Sequence, residues 1–583
     1  MLSFFFVTPQ RCPMLETFVL PKYKHSIYSK SLTMKISLLI KLTFGLLWFT
    51  NILLAQEKLA PGVYMVRFTD KNQQNYDLSH PEKFLSQRAI QRRQRQNLFF
   101  KENDLPVSLT YIDSLKHMGF EVLSSSKWLN ALTIKASDTA LFPKLRALSF
   151  VKPFMRKNAL KSALIPHKTP DILTASAFYD PNQYYGSSFG QIDIHHGIFL
   201  HEHGFRGQGI LIAVIDAGFN NARNMSGFDS LWLENRVILT RDFVQPGGDV
   251  FIQASHGANV LSIIASISPG YLIGTAPKAS FLLLRSENAS SEYPVEEFNW
   301  AVAAELSDSI GADIISTSLG YTTFDDPSLN HTYADMNGHT AISSIAATVA
   351  SSKGMIVVAS AGNEGTSSWK YISAPADADS IITVGAIDVN GNIAAFSSRG
   401  PTYDKRIKPD VVAVGYKTMI QNPDNTFGWG NGTSFSAPVI AGLTACLWQA
   451  CPGKSNMEII SAIQQYSSQY TMPDSIKGFG IPDFKSALYA LNTAQQLSNG
   501  TLHLFPNPFT TQFSAEFEAI PEGIVKIDIF DVTGRKLLEM QKTVYRNIPS
   551  TIFINQLASF PKGLYVVKVF SDSKTLEGKI LKQ

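Results

Sequence analysis

Read for hydrophobic and polar positions, the chain divides into stretches with different rhythms. A mostly apolar run, interrupted by Lys41, follows Met34-Lys35 and ends at Ala55-Gln56. Residues 60–165 then alternate. The segments 63–68, 121–123, 131–136 and 149–154 predict strands, and 81–96 and 138–148 predict helices, the second capped by Asp138. That strand–helix–strand–strand–helix–strand order predicts a small ferredoxin-like α+β domain. From 184 to 495 the texture changes. Short, mostly apolar runs rich in β-branched residues at 209–215, 279–284, 312–316 and 354–359 predict parallel strands buried on both faces. Helical stretches at 256–267, 294–310 and 339–353 separate them. The prediction is a doubly wound α/β domain with a mostly parallel sheet. Past a linker at 493–500, residues 502–583 give alternating strands at 524–530, 551–554 and 564–569, with turns at Pro506-Asn507-Pro508, Thr533-Gly534 and Pro561-Lys562-Gly563. That pattern predicts a small β-sandwich.

Composition narrows the possibilities. With 45% hydrophobic and 17% charged residues among 583, the chain is globular and long enough for two to four domains. A net charge of +4 on that length suggests no nucleic-acid partner. The cluster Arg88, Arg92, Arg93, Arg95 reads as a solvated helix face, because no aromatic residues interleave with it. Residues 1–55 read as a signal region with its true start at Met34, the alternative being a transmembrane anchor. Cys12 is expected to be lost with that leader. For Cys446 and Cys451 a disulfide and two buried thiols both stay open, and neither has a neighbouring histidine. The expected assembly is a monomer.

Four positions carry candidate chemistry. Asp216 stands at the carboxyl end of the strand 209–215, where open α/β sheets bind ligands. His256 opens a helix and is followed by Gly257, which permits close backbone approach. Ser434, in Gly432-Thr-Ser-Phe-Ser-Ala-Pro438, precedes the apolar helix 439–449, whose free N–H groups suit an oxyanion. Asn363, between Gly362 and Gly365, follows another strand and offers an amide donor. Each has an ordinary structural reading alone: a loop cap, a helix-start histidine, an N-cap. Together, the order acid, histidine, serine matches the subtilisin arrangement and not those of chymotrypsin or the α/β-hydrolases.

The central region resembles the subtilases. Similarity starts at Tyr185-Gly186 and runs through Asp216-Ala-Gly218, His256-Gly257, Gly274-Thr-Ala-Pro277, Ser318-Leu-Gly320, Ala361-Gly-Asn-Glu-Gly365, Lys408-Pro-Asp-Val-Val412 and Gly432–Pro438. The resemblance implies a secreted serine endopeptidase acting on protein or peptide substrates. Ser434 would be the nucleophile, His256 the general base and acid, and Asp216 the residue orienting His256. Asn363 and the Ser434 N–H would form the oxyanion hole, and Ser318, Leu319 and Gly320 an edge binding extended peptide. Ala258-Asn259 and Val414 depart from the family's usual residues without removing a reacting atom. By the same resemblance residues 60–165 look like a propeptide that assists folding and inhibits until removed. Residues 502–583 resemble the C-terminal sorting domain of proteins exported by the type IX secretion machinery; an adhesive sandwich is the alternative. A catalytically silent protein that keeps the fold is the competing reading of the whole. No cofactor is required for the chemistry. Structural calcium, which many subtilases bind, has no assigned site: Asp325, Asp326, Asp335 and Asn337 lack the spacing of a defined calcium motif, and Glu287, Glu296 and Glu297 read as rim charges.

Overall fold

A computed structural model describes residues 56–72, 75–153, 181–493, 502–505, 507–517, 523–544, 550–556, 559–570 and 575–583. The predicted leader, most of the connection 160–183 and most of the linker 493–500 lie outside them.

The N-terminal domain is an antiparallel sheet of β1 (Glu57–Ala60), β2 (Val63–Arg67), β3 (Glu121–Ser126) and β4 (Ala131–Lys135), in the order β1-β2-β4-β3. Helix α1 (Gln87–Arg95), capped by the Ser86 hydroxyl, and α2 (Leu109–His117) join β2 to β3. Three expectations change here. Strand β1 and helix α2 were not predicted, and the last predicted strand is only a bridge from Val151 to Phe68. The edge beside β2 is shared between that bridge and β1, which pairs with Val63–Met65, so the ferredoxin-like order survives with its fourth strand truncated.

The central domain is the predicted doubly wound α/β fold. Its seven parallel strands are β5 (Leu211–Asp216), β6 (Val237–Asp242), β7 (Ser280–Arg285), β8 (Ile314–Thr317), β9 (Ile356–Ser360), β10 (Ile382–Ile387) and β11 (Val411–Val414). They lie in the order β11-β10-β9-β8-β5-β7-β6. The period of two divides the core. On β5, Ile212 and Val214 pack with α3 (His256–Ala265) and α6 (Thr433–Ala450); Leu211, Ala213 and Ile215 pack with α4 (Val295–Ile310) and α5 (Ile342–Ser352). Burial on both faces is why these strands read as continuous apolar runs. Helix α6 is buried almost all round, and Gly442 lets it lie against Thr275, whose Oγ1 a Cβ would strike. No disulfide joins Cys446 and Cys451. Both are buried thiols, and burial pushes Cys451 up to about 12.

The N-terminal sheet lies across α4 and α5, with Leu59, Met65, Trp128, Leu129 and Ala131 entering the same cluster as Ala301, Ala304 and Ala347. The arginines expected in solvent are part of this contact. Arg92 and Arg93 are fully buried: Arg92 pairs with Asp308, and Arg93 bridges Asp104 (2.8 Å) and Asp308 (2.9 Å). Lys353 pairs with Asp104 at 2.8 Å, Arg88 with Asp313, and Glu305 accepts the N–H groups of Lys127 (2.8 Å) and Trp128 (3.1 Å). Asp308 lies more than 200 residues from Arg92 and Arg93, beyond the reach of a local reading.

The C-terminal domain is a sandwich of a three-stranded sheet (Leu502–Phe505, Phe513–Phe517, Ser550–Ile554) and a four-stranded one (Gly523–Asp531, Lys536–Val544, Gly563–Phe570, Thr575–Lys582). Phe513, Ile527, Ile554 and Val567 share its core.

Candidate active site

Strand β5 lies between β8 and β7, so its carboxyl end opens at the centre of the sheet's crevice. Asp216, its last residue, is fully buried. Its Oδ1 accepts the Ala217 N–H at 2.7 Å and the Nδ1 of His256 at 2.7 Å. His256 is the first residue of α3. The approach depends on Gly257, where a Cβ would lie 2.5 Å from the Gly218 carbonyl and 2.9 Å from Asp216 Cβ. Burial disfavours the protonated ring of His256, but the Asp216 carboxylate and its hydrogen bond outweigh that, and its pKa is raised above 6.5. The side chain stays 35% exposed, on the cleft side. Asn259, which departs from the family's residue, donates to the Gln421 carbonyl at 2.8 Å and ties α3 to the strand Tyr416–Gln421.

Ser434 is the second residue of α6, because the helix begins at Thr433, six residues before the predicted start at 439, and contains Pro438. Its N–H is therefore among the four that lack an intrahelical acceptor. Pro438 has no N–H, which leaves the Ser434 carbonyl without its i+4 donor, and Ser318 Oγ donates to it instead at 2.8 Å. Ser434 Oγ in turn donates to the Ser318 carbonyl at 3.3 Å; no hydrogen bond joins it to His256. Asn363 follows β9. Its Oδ1 accepts from Thr433 N (2.8 Å) and Thr433 Oγ1 (3.0 Å), which fixes the amide, and Nδ2 has no hydrogen-bond partner among the described residues. Thr433 also takes the Gly362 N–H at 3.1 Å. Sequence reasoning missed this positioning role, although Thr433 stands inside the quoted motif.

His256, Ser318, Asn363, Thr433 and Ser434 line one cleft of about 780 Å³, and Asp216 lies behind His256. Ser318, Leu319 and Gly320 form part of its wall, and Glu287, Glu292, Asp325 and Glu364 also line it. The supposed rim charges are instead buried. Glu287, Glu296 and Glu297 are 7%, 2% and 1% exposed. Glu297 pairs with His331 at 2.7 Å. Burial, then the charge of Glu296, pushes Glu287 up to about 8 and Glu292 to about 9; burial lifts Glu296 to about 7. The loop Asp325, Asp326, Asp335, Asn337 does not form a common ligand set. Asp326 pairs with Lys58 at 2.9 Å, and Asp335 caps Thr332. Among the described residues the group that does converge is Glu287, Glu292 and Glu296.

Comparison with known proteins places these domains. Residues 207–480 match the subtilase family, residues 63–170 the peptidase S8 propeptide domain of Bacteroidota, and residues 503–583 the secretion system C-terminal sorting domain. Subtilisin E of Bacillus subtilis (strain 168) is 29% identical over 266 residues, 45% of this chain and 61% of the relative. The thermophilic serine proteinase of Bacillus sp. (strain AK1) is 31% identical over 271 residues, 46% of this chain and 57% of the relative. The chain thus spans about three fifths of the length of these relatives. Among solved structures, MycP1 from the ESX-1 type VII secretion system aligns with a TM-score of 0.42 and 21% identity, over 57% of this chain and 90% of that one.

Proposed function

We propose, from the premise that residues 207–480 belong to the subtilase family, that the chain is a secreted serine endopeptidase made as a zymogen. The observation that carries the reading is the buried Asp216 carboxylate holding His256 Nδ1 at 2.7 Å on the cleft that Ser434 and Asn363 also line. In the reaction, Ser434 Oγ attacks the scissile carbonyl while His256 takes its proton, then delivers it to the leaving amine. Asp216 stabilises the imidazolium formed in between. The Ser434 N–H and Asn363 Nδ2 receive the charge of the tetrahedral intermediate, and water hydrolyses the acyl-enzyme by the same route. Ser318, Leu319 and Gly320 pair with the extended peptide. The substrates are proteins or peptides, and the chemistry runs without a cofactor.

The flanking domains supply control. Residues 60–165 act as the chain's own inhibitor and folding aid, held by the ion-pair network on α4. The C-terminal domain directs the protein to the cell surface or beyond through the type IX machinery.

One observation favours a second reading: Ser434 Oγ faces the Ser318 carbonyl rather than His256, as a silent binding protein would allow. Labelling with a fluorophosphonate separates the two. Covalent modification of the mature protein, lost in Ser434→Ala, supports the peptidase. A processed, folded protein that never labels supports the silent form.

A further inference from the structure

We propose that the cleft selects peptides with a cationic side chain, lysine or arginine, seated beside the bond that Ser434 attacks. The inference rests on the peptidase reading and specifies its substrate. The chain as a whole carries a net charge of +4. Its cleft is lined by the acidic residues Glu287, Glu292, Asp325 and Glu364 and, among the described residues, by no lysine or arginine. The nearby Arg285 is committed elsewhere, to Asp242 at 2.8 Å and the Ala217 carbonyl at 3.2 Å. The carboxyl groups of Glu292 and Glu364 accept no hydrogen bond from any described residue. Apolar side chains line the cleft only at Leu319, Ala217 and Ala289, so a large hydrophobic residue finds little to pack against.

A second observation points the same way from the floor. Ser373 is 3% exposed, its Oγ has no hydrogen-bond partner among the described residues, and it lines this cleft. Two glycines leave the route to it open. A Cβ at Gly362 would stand 3.0 Å from that hydroxyl, and one at Gly320 would collide with it. A buried hydroxyl without a partner is unfavourable, and a donor brought by the ligand relieves that cost. An ammonium or guanidinium group donates to Ser373 Oγ and to the wall carboxylates alike, and its aliphatic stem suits a slot walled by glycines.

The test uses the mature protein and two matched peptide series that differ only at positions flanking the scissile bond: lysine or arginine against norleucine or phenylalanine. The expected result is kcat/KM higher by ~10-fold or more for the cationic series, as for a site whose buried polar groups need a partner. Ser373→Ala and Glu292→Gln should each narrow that ratio several-fold, with fluorophosphonate labelling of each variant reporting an intact Ser434. A ratio near one in a protein that labels overturns this inference and leaves the peptidase standing. A ratio untouched by both variants also overturns it. Failure of the wild-type protein to label overturns the peptidase, and this inference with it. Finally, a melting temperature raised by millimolar calcium in the wild type but not in Glu292→Gln would assign the carboxylates to a metal ion and sink the proposal.

Discussion

Helix α4 carries buried acids on two sides, and their fates differ. On the face toward the N-terminal domain, Asp308 is enclosed by Arg92, Arg93 and Lys127, and its carboxyl is held at about 2 despite complete burial. Toward the cleft, Glu296 sits with Glu287 and Glu292 and no paired cation, and all three are pushed up. Burial is the common cause; what differs is compensation. A buried charge network that is complete holds two domains of the uncut chain together. One that lacks its cation is shaped for something that arrives and leaves.

The comparison breaks first at Asp216, the one buried acid of the site whose partner is a reacting group. Asp216→Asn should lower kcat about 10⁴-fold, since His256 loses its orienting acceptor. Because Asp216 raises His256, the acid limb of kcat/KM in the wild type should lie above pH 6.5 and move down in the variant, which a pH–rate profile reads. Next comes Asp308→Ala, measured in a Ser434→Ala background so that the chain stays uncut. Leaving Arg92 and Arg93 buried without it should cost about 3–5 kcal/mol in thermal or denaturant unfolding. Asn363→Ala should lose about 10²–10³ in kcat, the range known for removing such a donor from a subtilisin, with little change in KM. The smallest effect belongs to Glu292→Gln, whose melting temperature should stay equal or rise because a repelled carboxyl is removed.

Acidity and alkalinity should also act on opposite sides. Asp308 has a folded pKa of about 2 against 3.8, so its contribution is full above 3.8 and fades as pH falls toward 2. Glu296, Glu287 and Glu292 are raised from 4.5 to about 7, 8 and 9; their contribution is full below 4.5 and fades as pH rises through those values. Acid should therefore loosen the N-terminal domain first and mild alkali the cleft wall first, as separated hydrogen-exchange profiles would show.

Much of this was legible in the chain. Four of the seven strands of the central sheet, β5, β7, β8 and β9, announce themselves because both faces are buried; β6, β10 and β11 were not picked out. Asp216, His256, Ser434 and Asn363 stand out because each falls at an element end beside small residues. What escaped the reading depends on distant partners. Arg92 and Arg93 look solvated until Asp308 is placed against them. Glu287 and Glu296 look like rim charges until Tyr321 and the 288–293 turn enclose them. Thr433 escaped because its role, turning an amide 70 positions away, leaves no periodic trace. Helix α2 was passed over because only Tyr111 and Leu115 of its nine residues are buried.

Helix α6 begins at the site and runs through the core, so Ser434 is mounted on a rod packed along most of its length. Gly442, eight residues along and about 12 Å up the axis, sets how closely that rod seats against Thr275. The tolerance of the reaction is thus written partly in the interior. A single methyl at Gly442 should push the nucleophile off its alignment with Asn363 while every cleft residue keeps its identity.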